Sequence, residues 1–283
     1  MLKQILISIR PLQWYKNLII FIAIVFSQNI TSVSMWIDSI TAFIIFCLLS
    51  GSVYLINDII DIEKDRQHPN KRKRPIASGK LKRSQASFVA LLLVIASFYC
   101  AFLLNALFGL VSVFYFVLFL MYSIWLKHTV IVDVLTISIG FVLRAIAGAI
   151  AIAVIISPWL VICTFLFALF LALGKRRHEL VLLGNNASNH RKILDEYSVP
   201  MLEQMISITT SSLIVSYSLY TFLTDNYYMM FTIPFAIYGL FRYLHMVHSS
   251  EFGGEPEMLF KDRPTLINMV AWMTFTIFIL YYL

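Results

Sequence analysis

Three aspartates stand at i, i+3 and i+7 in the stretch Asn57-Asp58-Ile59-Ile60-Asp61-Ile62-Glu63-Lys64-Asp65, directly after a long apolar run. On a helix, that spacing puts all three carboxylates on one face. Carboxylates so placed repel one another unless a cation lies between them. Asn57, Asp58, Asp61 and Asp65 form an all-oxygen set suited to Mg²⁺, which in such sites usually bridges to phosphate oxygens. Acids near a bilayer are costly, ~2.5–3.5 kcal/mol each at the centre of a spanning helix and less toward its end. Several on one face imply a function that offsets the cost, and diphosphate chemistry at a membrane is the function these residues suggest.

Cationic groups follow. Arg72 and Arg74, in His68-Pro69-Asn70-Lys71-Arg72-Lys73-Arg74-Pro75, can each hold a phosphate in bidentate fashion. A second group comprises Lys175, Arg176, Arg177 and Glu179, then Arg191, Asp195 and Tyr197. Lys175 and Arg176 lie one helical turn before Glu179. They form either surface ion pairs worth a few tenths of a kcal/mol or part of a phosphate site. Tyr122 and Lys127 sit at the end of an apolar run, as a phosphate contact or as a snorkelling lysine beside an interfacial tyrosine. Asp133 and Arg144 share a helix face but stand about 16 Å apart, so they cannot pair. Arg144, deep in apolar sequence, is a functional candidate; the alternative is a structural arginine bonded to carbonyls of a neighbouring helix. Asp262 and Arg263 close the polar region or belong to an ordinary loop. The six histidines show no zinc-ligand spacing, and the three cysteines read as packing residues.

The elements that position these groups are apolar helices. The chain has 283 residues, 60% hydrophobic and only 13% charged, with a mean hydropathy of +0.82. This is an all-α polytopic membrane protein, embedded in a lipid bilayer and expected to form a single domain over 1–283. Its first ten residues lack a signal-peptide pattern. A span needs about 20 apolar residues. Nine are expected, at roughly 15–33, 37–57, 86–104, 107–126, 130–152, 157–174, 202–223, 228–247 and 265–283. Twenty of the 22 Lys and Arg fall in the N-terminal segment and the even-numbered connections; the other two, Arg144 and Arg242, lie within spans. The positive-inside rule then predicts a cytoplasmic N-terminus in a plasma (inner) membrane. The charge of +7 is thus topological and does not point to nucleic acid. Thirteen of the fifteen acids share that side. Acids contribute little to orientation, so their presence there suggests a polar reaction chamber at the cytoplasmic face.

The N-D-x-x-D-x-x-x-D pattern closing the second span, followed by Arg74-Pro75 and Ser78-Gly79, resembles the UbiA-type membrane prenyltransferases. The resemblance covers essentially the whole chain. It implies nine transmembrane helices around a central cavity open at the cytoplasmic face. Arg10-Pro11-Leu12-Gln13-Trp14-Tyr15-Lys16-Asn17, the run His68 to Gly79, Tyr122 to Lys127 and Gly174 to Leu180 are similar to one branch of that family. Members of that branch transfer 5-phosphoribose from phosphoribosyl diphosphate to a polyprenyl phosphate. The resemblance implies Mg²⁺ on Asp58, Asp61 and Asp65. Lys16, Arg72, Arg74, Lys127, Lys175, Arg176 and Arg191 would divide between the substrates' phosphates. The family's prenyl-diphosphate users carry a second D-x-x-x-D where this chain reads K-x-x-x-E. That departure argues against the rival reading, prenyl transfer to an aromatic or glycerol-phosphate acceptor. A transporter would place its polar groups near midplane, unlike this chain. A homo-oligomer is compatible with these features.

Overall fold

A computed structural model describes residues 1–183, 194, 196–224, 226–249 and 260–283. All regular structure among them is helical. The chain divides into two compact units, Met1–Lys127 with Gly140–Ile156, and His128–Ile139 with Ser157–Leu283.

The first unit begins with α1 (Leu2–Ser8), a tighter 3₁₀ stretch (Pro11–Phe21) and α2 (Ile22–Phe26). Leu2–Ser8 and Pro11–Phe26 are bent by 51°. Taken together as one span, this pair would start earlier than the expected 15–33 and be broken; taken apart, neither piece is a span on its own. The break falls at Arg10, whose φ of 53° is left-handed, and at Pro11, which has no N–H to continue the helix. The long helix α3 (Val33–Ile60) follows, with Ser32 accepting a hydrogen bond from the N–H of Met35. Its 28 residues rise about 42 Å, well beyond the ~30 Å of a hydrocarbon core. The surplus carries Asn57 and Asp58 on helical backbone. Asp61 ends the helix at φ −90° and ψ 10°, and the short α4 (Ile62–Gln67) starts after it.

Next come α5 (Arg83–Leu104) and α6 (Ala106–Ile124), joined through Asn105, whose Oδ1 accepts from the N–H of Leu107 at 2.8 Å. α5 leaves Phe88, Leu91, Leu92, Ile95, Tyr99 and Leu103 exposed, the surface of a helix meant for lipid. The core of this unit packs Ile20, Ala42, Phe46, Leu49, Phe108, Tyr115 and Ala147. A smaller cluster of Ile9, Leu55, Ile76, Leu81, Ala86 and Ala90 lies beneath the aspartate-bearing end of α3.

Helix α7 (Val132–Ala151) contributes its first turns to the second unit and the remainder to the first. Within the first unit, Gly148 lets α7 approach the backbone of Ile20 so closely that a Cβ there would stand 2.2 Å from the carbonyl oxygen. The second unit continues with α8 (Pro158–Leu183), α9 (Val199–Leu223), α10 (Ile233–Ser249) and α11 (Arg263–Tyr282). Its core holds Phe170, Leu173, Tyr197, Leu202, Ile206, Leu213, Leu240 and Tyr243. Among the described residues eight helices are long and apolar enough to span a membrane, or nine if the bent N-terminal pair is one span.

Candidate active site

The end of α3 gathers acids and cations into ion pairs within the first unit. Asp58 is 2% exposed, and its Oδ1 accepts from Arg10 at 2.5 Å and from Arg74 at 3.1 Å. Arg74 also donates to Oδ2 of Asp65 at 2.6 Å. Lys127 is nearly buried, and its Nζ donates to both oxygens of Asp61 at 2.6 and 2.8 Å. The same Nζ lies 3.4 Å from Oδ1 of Asn57. Lys127 thus arrives from the end of α6, 66 residues along the chain. Such pairs hold only with close geometry, because burying charges costs several kcal/mol each.

The three aspartates do not lie on one continuous helix, as their spacing suggested. The backbone turn at Asp61 sends its carboxylate to Lys127, while Asp58 and Asp65 meet through Arg74. Among the described residues no three Asp, Glu, His or Cys side chains converge closely enough to hold a metal. The donors themselves, three carboxylates and an amide oxygen, fit a hard divalent cation chemically. Holding one requires the side chains of Arg10, Arg74 and Lys127 to move.

Other candidates take varied positions. Arg72 is exposed, Lys16 is half-buried with its Nζ 5.7 Å from the centre of the Tyr15 ring, and Tyr122 packs against Phe119. Arg144 is buried: it donates to Asn17 Oδ1 at 2.7 Å, the Gly140 carbonyl at 2.9 Å and the Tyr115 hydroxyl at 2.5 Å. Tyr115, Phe119 and Phe141 surround its guanidinium. These contacts tie α7 to the Pro11–Phe21 stretch and to α6 within the first unit; the backbone carbonyl that Arg144 reaches, Gly140, is on its own helix and not on a neighbouring one.

The second unit holds a separate buried network. Arg176 Nε donates to Oδ2 of the fully buried Asp133 at 2.8 Å, and its NH1 donates to Glu179 Oε2 at 2.5 Å. The pair Arg176–Glu179 is therefore not a surface one: Arg176 is 3% exposed. Lys175 is half-exposed and makes no ion pair with a described residue. The Tyr197 hydroxyl donates to Asp133 Oδ1 at 2.9 Å and accepts the Ile131 N–H at 2.7 Å. That bond fixes a β-branched residue at φ 68°, a backbone state it rarely adopts. Burial pushes the Tyr197 hydroxyl pKa well above its usual range, against the Ile131 N–H, which lowers it, and with the Asp133 charge, which raises it further. Arg242 pairs twice with Asp262, at 3.0 and 2.8 Å, and Asp262 caps α11 at Thr265. Arg191 and Asp195 lie outside the described residues.

Residues 18–261 match the UbiA prenyltransferase family. The chain belongs to this family. Decaprenyl-phosphate phosphoribosyltransferase of Mycolicibacterium smegmatis is 33% identical over 94% of this chain and 89% of its own. The enzyme of that name from Corynebacterium glutamicum is 32% identical over 94% and 83%. A UbiA homologue from Archaeoglobus fulgidus, solved bound to GPP and Mg²⁺, superposes with a TM-score of 0.76 at 15% identity, over 96% of this chain and 98% of that one. The fold is thus that of UbiA proteins, and the chain is an integral membrane transferase of that family.

Arg10 and Asp133 were not among the site residues expected from sequence. In the sequence, Arg10 figures only as the first residue of the Arg10–Asn17 motif and Asp133 only as an acid too far from Arg144 to pair; neither has a site role there.

Proposed function

We propose that the protein transfers the 5-phosphoribosyl group of phosphoribosyl diphosphate to a polyprenyl phosphate, releasing diphosphate. The observation that carries this is the near full-length similarity to enzymes named for that reaction. It is joined by the K-x-x-x-E of Lys175 to Glu179, where prenyl-diphosphate users of the family have acids.

The C1–oxygen bond to diphosphate breaks as an oxygen of the polyprenyl phosphate forms a bond to C1 from the opposite face. The attacking phosphate is already a nucleophile, so no strong base is required. Catalysis rests on positioning and on charge placed where the leaving group develops. Asp58, Asp61 and Asp65, with Asn57, would hold Mg²⁺, which when bound neutralises charge on the diphosphate. Arg74 and Lys127 supply donors to phosphate oxygens beside the carboxylates they contact. Lys175, having no acid partner among the described residues, is a candidate for a further phosphate, as are the exposed Arg72 and the half-buried Lys16. Arg144 and Arg176 orient protein groups. We place the reaction at the cytoplasmic side of an inner membrane, where the basic connections lie.

The test is to incubate membranes containing the protein with ribose-labelled phosphoribosyl diphosphate and polyprenyl phosphate and follow label into lipid. Label in the lipid fraction that depends on the polyprenyl phosphate supports the reading. Transfer only from a prenyl diphosphate to an aromatic or glycerol-phosphate acceptor contradicts it.

A further inference from the structure

We infer that the divalent cation and the donor's diphosphate bind only as a pair, because Arg10, Arg74 and Lys127 must exchange carboxylate partners for phosphate oxygens, which makes Arg10 a diphosphate-binding residue. This rests on the proposed reading of the aspartates as the metal site.

Three observations carry it. First, the charges balance. The carboxylates of Asp58, Asp61 and Asp65 are matched by Arg10, Arg74 and Lys127, each in direct contact. A divalent cation approaching alone meets a group with no net charge and must displace cations that then have no acceptor. Leaving any of them unpaired and part-buried is costly. Arriving with a diphosphate, the cation brings acceptors for the displaced groups.

Second, the guanidiniums have donors to spare. The Arg10 side chain makes one hydrogen bond among the described residues, and the Arg74 side chain places both of its bonds on a single nitrogen. An arginine has five N–H donors in a fork that matches phosphate. Arg10 and Arg74 are 26% and 25% exposed, unlike the carboxylates of Asp58 and Asp65 that they cover. They form the outer layer over buried acids.

Third, Arg10 occupies an unfavourable backbone state. Its φ of 53° and ψ of 64° are left-handed, directly before Pro11, where a residue is ordinarily extended. Its guanidinium rests 4.8 Å from the centre of the Tyr54 ring. Strained backbone of this kind clusters at functional sites, and the Asp58 oxygen that Arg10 contacts is already shared with Arg74.

Equilibrium dialysis of the full chain in lipid nanodiscs tests this, with Mn²⁺ and inorganic diphosphate as probes, each counted on the protein side after correction for their complex in solution. For the wild type, each probe should bind at least about tenfold more tightly in the presence of the other, within the usual range of coupling. Lys127→Gln and Arg10→Gln should bind Mn²⁺ alone about fivefold or more tighter than wild type and lose most of the coupling. The wild-type arm needs no variant, so misfolding of either substitution leaves the test intact. Mn²⁺ binding to wild type that is equally tight with and without diphosphate overturns the inference, as do well-folded variants whose Mn²⁺ affinity is unchanged. Asp58→Asn separates the two readings. If it abolishes Mn²⁺ binding while the wild type shows no coupling, only the exchange is wrong. If it binds Mn²⁺ as wild type does, the metal site itself is wrong.

Discussion

Replacing Asp133 with leucine should unfold the second unit's polar network while sparing its apolar core. Asp133 is fully buried and Arg176 is 3% exposed. Removing one partner of such a pair costs ~3–5 kcal/mol, since the other charge stays buried without compensation. Two features of the site locate the value within that range. Glu179 remains 2.5 Å from Arg176 and is 28% exposed, so it retains part of the guanidinium's compensation. Against this, the Tyr197 hydroxyl loses a charged acceptor, a bond worth ~1.5–3 kcal/mol. We expect a loss of about 4 kcal/mol. Adding Arg176→Met removes the buried cation that has lost its Asp133 partner, and the double variant should recover about 2–3 kcal/mol of that loss. The assay is equilibrium unfolding in mixed detergent followed by far-ultraviolet circular dichroism. An Asp133→Leu protein within about 1 kcal/mol of wild type, or a double variant less stable than the single one, would refute the reasoning.

Other outcomes follow from the same structure. Gly148→Ala should lower stability by ~1–3 kcal/mol, because its Cβ would meet the Ile20 carbonyl oxygen at 2.2 Å; the same unfolding assay reads it. Arg144→Met should cost about 3 kcal/mol by taking the donor from Asn17 Oδ1 and from the Tyr115 hydroxyl oxygen, and Arg144→Lys should fail to restore it, since a lysine cannot reproduce the fork; a wild-type unfolding midpoint for either would remove the cross-link role. The Asp262 carboxyl is held well below the usual carboxylate range by hydrogen bonds from Arg242 and Thr265. Its contribution to stability is therefore complete above the ordinary carboxylate pKa and is lost as pH falls below it, so Asp262→Asn should flatten the acid limb of the stability profile. Tyr197 behaves oppositely: its raised pKa gives a contribution that holds below about pH 10 and is lost above, a loss that Tyr197→Phe should abolish.

The helical bundle and its spans were legible because a bilayer demands long apolar runs, and the basic connections between them stand out in composition. The meeting of Lys127 with Asp61 was not readable from spacing, since 66 residues separate them. The aspartates' common face was misread in one respect: periodicity assumes an unbroken helix, and Asp61 ends α3. Likewise, Asp133 could not be paired from its own helix, because its partner Arg176 lies on α8. The partners of Arg144 among the described residues are neutral oxygens and aromatic faces, which its place in an apolar run did not reveal. The bend at Arg10 and Pro11 carried a local signal in the proline, while the use of Arg10 on Asp58 depended on tertiary contact alone.

The central claim is that the Asp58–Asp61–Asp65 group handles the diphosphate of a phosphoribosyl donor. The most direct measurement is transfer of ribose label to polyprenyl phosphate by wild type and by a folded Asp61→Asn variant, at equal protein. The account predicts labelled lipid from the wild type and a loss of about a hundredfold or more in the variant, of the size seen when a group stabilising transition-state charge is removed. Undiminished transfer by Asp61→Asn would contradict it.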